Sequence, residues 1–435
     1  MLNRIIYWAR HTFVPLMLIL VCPPMAILMW YTNVALNGSI LNLWNLFLSN
    51  GIFSTVWRIW SPVFFGSSTA WAMIAIFAAV QLFFMRFLPG KKFEGPLTPN
   101  GNTPVYKANG VPAFLLTLLM FFLATSVFNL FSATIIYDNF GSLIGALNIF
   151  SLCFCLFLMI KGRIAPSSSD SGSTGNLLFD YFWGTELYPR IFNFDVKMFT
   201  NCRFGMMSWS LIILSYAAKQ QQLYGLSNAM TISVVLQLLY IAKFFIWEPG
   251  YMRSLDIMHD RAGYVICWGC LVWVPSIYAS PAQYLVNHPY QFSAPAAWTL
   301  FVVGFLGILV NYLADLQRQK VRATNGKCTV WKKKPELIVA HYTTHQGDAK
   351  QTILLASGYW GLARHFHYLP ELLAAFCWTL PALFLNVLPY FYFVFLTLLL
   401  VDRAFRHERR CASKYGKHWK TYCEKVPYKI IPFVY

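Results

Sequence analysis

Long apolar runs separated by short polar segments set the pattern of this chain. A segment needs about 20 apolar residues to cross a hydrocarbon core about 30 Å thick. Such runs fall at 13–32, 69–88, 112–136, 142–161, 229–247, 262–280 and 294–314. A shorter one at 206–218 reads as tilted or re-entrant. The run from Leu369 to Val401 is long enough for two paired spans, turning between Asn386 and Pro389. In lipid every backbone polar group must be satisfied within the segment, which leaves helices as the spanning form for such runs. The pattern therefore predicts an all-α, multi-pass transmembrane bundle of about ten spans. No fixed-period repeat and no soluble domain stands out, so 1–435 reads as a single polytopic membrane domain.

The polar interruptions carry the chemistry. Residues 90–110 are rich in Pro, Gly and Asn and read as turns, and 162–176, with its Ser-Gly stretch, reads as a flexible linker. Residues 315–351 are basic, with Arg318, Lys320, Arg322, Lys327 and Lys332–Lys334. The fourth segment is the tail beyond Val401, dense in cations and aromatics. On a helix over 401–415, Arg403, His407, Arg410 and Lys414 share one stripe, with Cys411, Tyr415, His418 and Tyr422 beside it and Gly416 as an interruption. Packed cations repel, so an anion must compensate. Lipid headgroups are the plain answer and a polyphosphate such as NADP the sharper one. No G-x-G-x-x-G follows a strand, which excludes a Rossmann-type site.

Composition fits a membrane protein. Of 435 residues, 57% are hydrophobic and 11% charged, against about 25% charged in soluble domains. The formal charge is +18. Its cations sit between spans, so the positive-inside rule and anionic headgroups explain it without a nucleic acid. Arg4 and Arg10 favour a cytosolic N-terminus, and the run from Phe13 to Tyr31 is longer than a cleaved signal's apolar core. Basic loop and tail then share the cytosolic face, over about 315–435. The ten cysteines show no disulfide framework, and Cys267 and Cys270 read as buried hydrophobes. His365 with His367, and His341 with His345, lack further ligands at metal spacing, so no metal site is read. Between two spans, 247–260 places Glu248, Asp256, His259 and Asp260 near the bilayer, while Tyr240 and Lys243 lie within a span. Ionisable groups at depth are presumed functional, with ion pairs at a span end the structural alternative.

Two segments resemble the signatures of the sterol reductase family, membrane enzymes that reduce Δ14, Δ7 or Δ24(28) double bonds of sterols. One is Leu178-Phe-Asp-Tyr-Phe-Trp-Gly-Thr-Glu-Leu-Tyr-Pro-Arg190, with Tyr188 where Asn or His is usual. The other is the tail from Asp402 to Cys423, where His407 stands in place of an Asp. Further stretches resemble the plant-type Δ7 branch. These are Gly358-Tyr-Trp-Gly-Leu-Ala-Arg-His-Phe-His-Tyr-Leu-Pro-Glu371, Ile266-Cys-Trp-Gly-Cys-Leu-Val-Trp-Val-Pro275 and Tyr284-Leu-Val-Asn-His-Pro289.

The resemblance implies NADPH-dependent reduction of the C7=C8 bond of a Δ5,7-sterol drawn from the bilayer, with Δ14 or Δ24(28) as alternatives. It implies a cofactor site at Arg318, Arg322, Leu355, Trp360, His367, Tyr368, Arg403, His407, Cys411, Lys414, Tyr415 and Tyr422. An isolated alkene is a poor hydride acceptor, so a proton donor is required. Tyr240 is the first candidate, Glu248 and Asp260 are alternatives, and His407 is a candidate relay. A membrane methyltransferase of the isoprenylcysteine type and a non-catalytic sterol-binding protein are the readings of other classes. The expected compartment is the endoplasmic reticulum in a eukaryote or the inner membrane in a bacterium.

Overall fold

The computed structural model describes residues 6–98, 100–343, 347 and 349–434. Helices dominate, with three two-stranded antiparallel ladders among them. Eight helical stretches among the described residues are long and apolar enough to cross a membrane. They are Ile6–Ala35, Ser68–Phe87, Gly110–Val127, Phe140–Ile164, Asn228–Ile246, Tyr264–Val286, Ala294–Ala323 and Leu388–Tyr415. The chain is thus a multi-pass integral membrane protein; about ten spans are expected from the sequence, and eight helices among the described residues meet the length and hydropathy of a span on their own. The 206–218 run belongs to a longer helix, Met206–Tyr224, but that helix ends in Lys219 and three glutamines. The first half of the 369–401 run forms a helix only over Tyr368–Thr379. Its rise of about 18 Å, at 1.5 Å per residue, falls short of the hydrocarbon core. Two 3₁₀ turns follow it, with Leu383 at φ 54°.

Two compact units divide the chain. The first comprises 1–98, 102–292 and 381–392. Its helices include α1 (Val14–Ala35), α2 (Ile40–Asn50), α3 (Ile52–Trp60), α4 (Ser68–Phe87), α5 (Gly110–Phe122), α6 (Phe140–Ile164), α7 (Leu177–Trp183), α8 (Met206–Tyr224) and α9 (Asn228–Ile246). Helix α4 leads to a hairpin, β1 (Lys91–Glu94) with β2 (Val105–Ala108), within the segment expected to be all turn.

A buried polar node joins four of these helices. Arg203, in the wide helical turn before α8, pairs with Glu248 at the end of α9 at 2.6 Å. The same guanidinium donates to Asn109 Oδ1 at 2.8 Å. Asn109 Nδ2 in turn donates to the carbonyls of Phe84 and Leu88, closing the C-terminus of α4. Glu248 accepts the Gly110 N–H at 2.8 Å, closing the N-terminus of α5. Helix ends leave such groups without intrahelical partners. The node supplies them where water is scarce. A Cβ on Gly110 would lie 2.7 Å from the Phe245 ring and 2.9 Å from the Glu248 carboxylate, so only glycine permits this approach.

The Ser-rich segment at 162–176 is not a loose linker. Buried Asp180 on α7 accepts hydrogen bonds from Ser173, Thr174 and Arg163, and Glu186 pairs with Lys161 and accepts the Ser167 N–H. Burial alone raises the Asp180 carboxyl pKa, but the bonds from Ser173, Arg163 and Thr174 win and hold it at about 2. Composition missed this because the organising carboxylates lie after the serines in the chain.

The second unit comprises 293–380 and 393–435, with 99–101. Helix α10 (Ala294–Ala323) and helix α11 (Tyr368–Thr379) are its closest pair. Gly304, Gly307, Asn311 and Ala314 form the buried stripe of α10, at helical spacing. At Gly307 an added Cβ would meet the Pro370 carbonyl at 3.0 Å. Small residues let the two backbones approach closely, as membrane helix pairs require. Arg318 and Arg322, expected in a loop, lie on the last turns of α10. The hairpin β3 (Leu337–Thr343) with β4 (Ala349–Leu355) buries Ile338, Ala340 and Leu354 on one face. Helix α12 (Phe391–Tyr415) runs into the tail, Gly416 breaks it at φ 48°, and α13 (Lys417–Lys425) follows.

Removing one partner of a buried pair strands the other charge and costs about 3–5 kcal/mol. Arg203→Met and Glu248→Leu should each lower the thermal unfolding midpoint in detergent. The double variant should lose less than the sum of the two.

Candidate functional site

The predicted cofactor residues all fall in the second unit, some of them around Trp360 and others along α12. A four-residue helical turn (Tyr359–Leu362) carries this indole. Gly358, at φ 64°, starts that turn, and a Cβ there would strike Gln317 at 2.3 Å and Val330 at 2.6 Å. Gln317 Oε1 accepts the Tyr359 N–H at 2.9 Å. Trp360 Nε1 donates to the Ala314 carbonyl at 2.7 Å, and its own carbonyl accepts the Tyr422 hydroxyl at 3.2 Å. One residue thereby joins α10 to α13. The Arg318 guanidinium lies over the indole ring, 3.9 Å from its centroid, and pairs with Asp315 at 3.2 Å. Leu355 packs beneath with Val321 and Val330. His367 sits 4.9 Å from the indole and 4.3 Å from the Tyr368 ring. Its carbonyl accepts Asn311 Nδ2 at 2.7 Å.

Helix α12 supplies the opposite wall. His407 and Cys411, one turn apart, meet with Sγ 3.6 Å from Nε2. Arg318, Arg322 and Arg410 all lie within electrostatic reach of the His407 imidazole, so cations from α10 and α12 converge. Arg403 sits one turn before His407 on the same helix. Lys414 Nζ stands 4.0 Å over the Tyr342 ring, and Tyr415 packs edge-on to Tyr342 at 5.7 Å. Tyr422 is buried with Cys411 and Trp419, and burial raises its phenol pKa, so it is a hydroxyl donor. Aromatic faces and a concentration of guanidinium groups suit an aromatic ring attached to phosphates.

The sequence reading passed over the group that holds this wall in place. Arg364 pairs with Glu408 at 2.5 Å and donates to the carbonyls of Val426 and Pro427 at 2.7 and 2.9 Å. The backbone N–H groups of Arg364 and His365 bond the carbonyls of Tyr428 and Lys429. The end of the chain is thus strapped to the segment before α11. A signal was present: Glu408 is the single acid between Arg403 and Cys423. Neighbouring His365 is buried, stacked on Tyr368 at 5.3 Å and edge-on to His407 at 5.1 Å. Burial, with His407, Arg318, Arg364 and Lys429 adding, holds its pKa well below the usual imidazole value. His365 and His367 are 6.3 Å apart, His341 lies 5.7 Å from His418, and His345 falls outside the described residues. Among the described residues no group of three metal-ligating side chains is assembled.

The candidate proton donors lie in the first unit. Tyr240, half-buried on α9, has its ring 5.9 Å from Trp209 and 5.7 Å from Lys243 Nζ. Trp209, Tyr278 and Tyr392 extend this aromatic group, and Gln237 accepts the Trp209 indole N–H at 2.8 Å. Glu248, by contrast, is engaged as an acceptor by Arg203 and Gly110. Its place is the structural node. The main chain of Asp260 accepts from buried Lys197 at 2.8 Å.

A model of the ergosterol biosynthesis ERG4/ERG24 family matches residues 16–435. The chain is 53% identical to 7-dehydrocholesterol reductase of Arabidopsis thaliana over 422 residues, 97% of this chain and 96% of that protein. It is 39% identical to 7-dehydrocholesterol reductase of Xenopus laevis over 379 residues, 83% of this chain and 80% of that protein. With Delta(14)-sterol reductase of Methylotuvimicrobium alcaliphilum it is 34% identical over 425 residues, 97% of this chain and 94% of that protein.

His365 sets a pH dependence. The unfolded imidazole titrates near 6.5 and the folded one well below. The unfolded chain therefore takes up the proton first as pH falls. The contribution to stability is complete above pH ~6.5 and declines below it, by at most about 1.4 kcal/mol per pH unit. Thermal midpoints measured from pH 8 to 5 should fall in the acid range for the wild type, and His365→Phe should flatten that fall.

Proposed function

We propose that this chain, which belongs to the ergosterol biosynthesis ERG4/ERG24 family, reduces the C7=C8 double bond of Δ5,7-sterols with NADPH. Two observations support the two halves of this reading. The end-to-end likeness to 7-dehydrocholesterol reductases, at 53% and 39% identity, supports the Δ7 bond. The convergence of Arg318, Arg322 and Arg410 about His407, with Trp360 beneath Arg318, supports a phosphate-bearing cofactor.

In this reading the second unit binds the dinucleotide. Arg322, Arg403 and Lys414 meet its phosphates as charge-assisted donors, and Arg318 does so while stacked on Trp360. His367, Tyr368, Tyr415 and Tyr422 present rings and hydroxyls to its aromatic groups. His407, where the family resemblance implies an acid, offers a nitrogen beside the Cys411 thiol. NADPH, when bound, supplies a hydride. A hydride on one alkene carbon requires a proton on the other, and the chain must provide that proton. Tyr240 is the proposed donor, a phenol set among Trp209, Tyr278 and Tyr392, whose faces stabilise positive charge on the sterol ring. Glu248 is proposed as a structural residue. The sterol enters from the bilayer, the cofactor half faces the cytosol, and the compartment is the endoplasmic reticulum in a eukaryotic host or the inner membrane in a bacterial one.

Incubation with 7-dehydrocholesterol and mass spectrometry of the product should show saturation at C7=C8. Reduction of a Δ14 or Δ24(28) bond with Δ7 left intact would sink the Δ7 reading and leave the family. Arg322→Ala should weaken NADPH binding roughly tenfold or more, since a charged hydrogen bond is worth about 1.5–3 kcal/mol. Titration calorimetry reads this directly, and unchanged affinity would remove Arg322 from the phosphate site. Tyr240→Phe should lower kcat by about 100-fold or more with NADPH affinity unchanged. Full turnover in that variant would exclude Tyr240 as donor.

A further inference from the structure

Arg58 is the single charged residue in the 74 positions between His11 and Arg86. It lies on α3 (Ile52–Trp60), which with α2 (Ile40–Asn50) forms a helical hairpin. Ser39 caps the first helix by accepting the Asn42 N–H, Gly51 turns the chain at φ 79°, and Thr55 Oγ1 ties the two by donating to the Leu46 carbonyl at 3.1 Å. The hairpin joins the spans Ile6–Ala35 and Ser68–Phe87, so it sits where the first span ends, across the membrane from Arg10 and His11. Leu41, Trp44, Leu48, Phe53 and Trp57 are exposed on it. A helix pair presenting Trp, Phe and Leu beside a span end lies in the headgroup boundary.

A cavity of ≈ 490 Å³ opens beneath this hairpin, within the ~300–1,000 Å³ typical of ligand pockets. Trp30, Tyr31, Leu46, Ile59 and Val63 wall it, and Arg58 is its one charged lining residue. None of the lining residues is acidic. Among the described residues no carboxylate stands within ion-pair distance of the Arg58 guanidinium, and residues 12–85 contain no acid at all. Arg58 is an exposed residue of this largely apolar cavity, and a cation there suits a ligand with the converse design.

We infer that this cavity binds an anionic phospholipid, with an acyl chain among Trp30, Tyr31, Leu46, Ile59 and Val63 and the phosphate on Arg58. A neutral sterol fits the walls but leaves the guanidinium without an anion, and a free phosphate leaves the apolar walls empty. The site belongs wholly to the first unit and uses none of the residues assigned to the cofactor or the proton donor. It does not depend on the proposed reaction.

The experiment compares the full chain with Arg58→Gln, Arg58→Lys and Val63→Trp. Each is reconstituted in nanodiscs of phosphatidylcholine with and without phosphatidylglycerol, and lipid retained after release is measured by native mass spectrometry. The wild type should retain phosphatidylglycerol about fivefold over phosphatidylcholine, the equivalent of about 1 kcal/mol for one basic residue near anionic headgroups. Arg58→Gln should abolish the preference and Arg58→Lys should keep most of it. Val63→Trp, which fills the cavity with the cation in place, should lose the retained lipid, separating a seated lipid from diffuse surface attraction. Equal retention of both lipids by the wild type overturns the proposal. So does a preference that survives Arg58→Gln or Val63→Trp, or displacement of the bound lipid by a neutral sterol.

Discussion

Polar groups that fold into a membrane must find partners inside the protein, and much of this structure follows from that constraint. The Arg203–Glu248 pair is its clearest expression. Together with Asn109 it closes the end of one helix and the beginning of the next, where an open terminus would leave carbonyl and N–H groups without water. Asp180 serves the serine segment in the same way, and Lys197 donates to three carbonyls of Asp256, Ile257 and Asp260. Charges rare in the sequence are thus structural fasteners at helix ends, and the cost of burying each is offset by several bonds at once.

The second unit uses the same device to a different end. Arg364 and Glu408 bind the chain end to the segment before α11, and Trp360 joins α10 to α13. These contacts fix a group of rings and guanidinium groups whose mutual repulsion favours an anionic ligand. Rigid placement matters because cations held close together gain more from a phosphate than cations free to spread. Strap and cation cluster are therefore parts of one arrangement: neutralised charges hold the frame, and the cluster beside them meets the cofactor in the proposed function.

Much of this was legible in the pattern. Greasy runs announced a multi-pass helical protein, the helical stripe Arg403–His407–Arg410–Lys414 is realised on α12, and Gly416 does interrupt it. One expected span is not a long helix by itself for a local reason. Tyr368–Thr379 lies against the glycine stripe of α10 and passes into 3₁₀ turns at its end, although its composition is as apolar as a span. Arg318 and Arg322 looked like loop residues because hydropathy ends where the bilayer does, while hydrogen bonding carries α10 on to Ala323. The role of Glu248 was unreadable because its partner Arg203 lies 45 positions away.

By itself the sequence determined the class of protein, the family and the residue types offered to the proposed cofactor, since these depend on composition, periodicity and local motif. The tertiary structure decided which charges neutralise one another and which gather together. Glu248 and Glu408 are alike as letters, and each is defined by the arginine that folding sets against it. Pairing of that kind rests on contacts between distant parts of the chain, and the energy of a buried charge depends on its partner rather than on its neighbours in sequence.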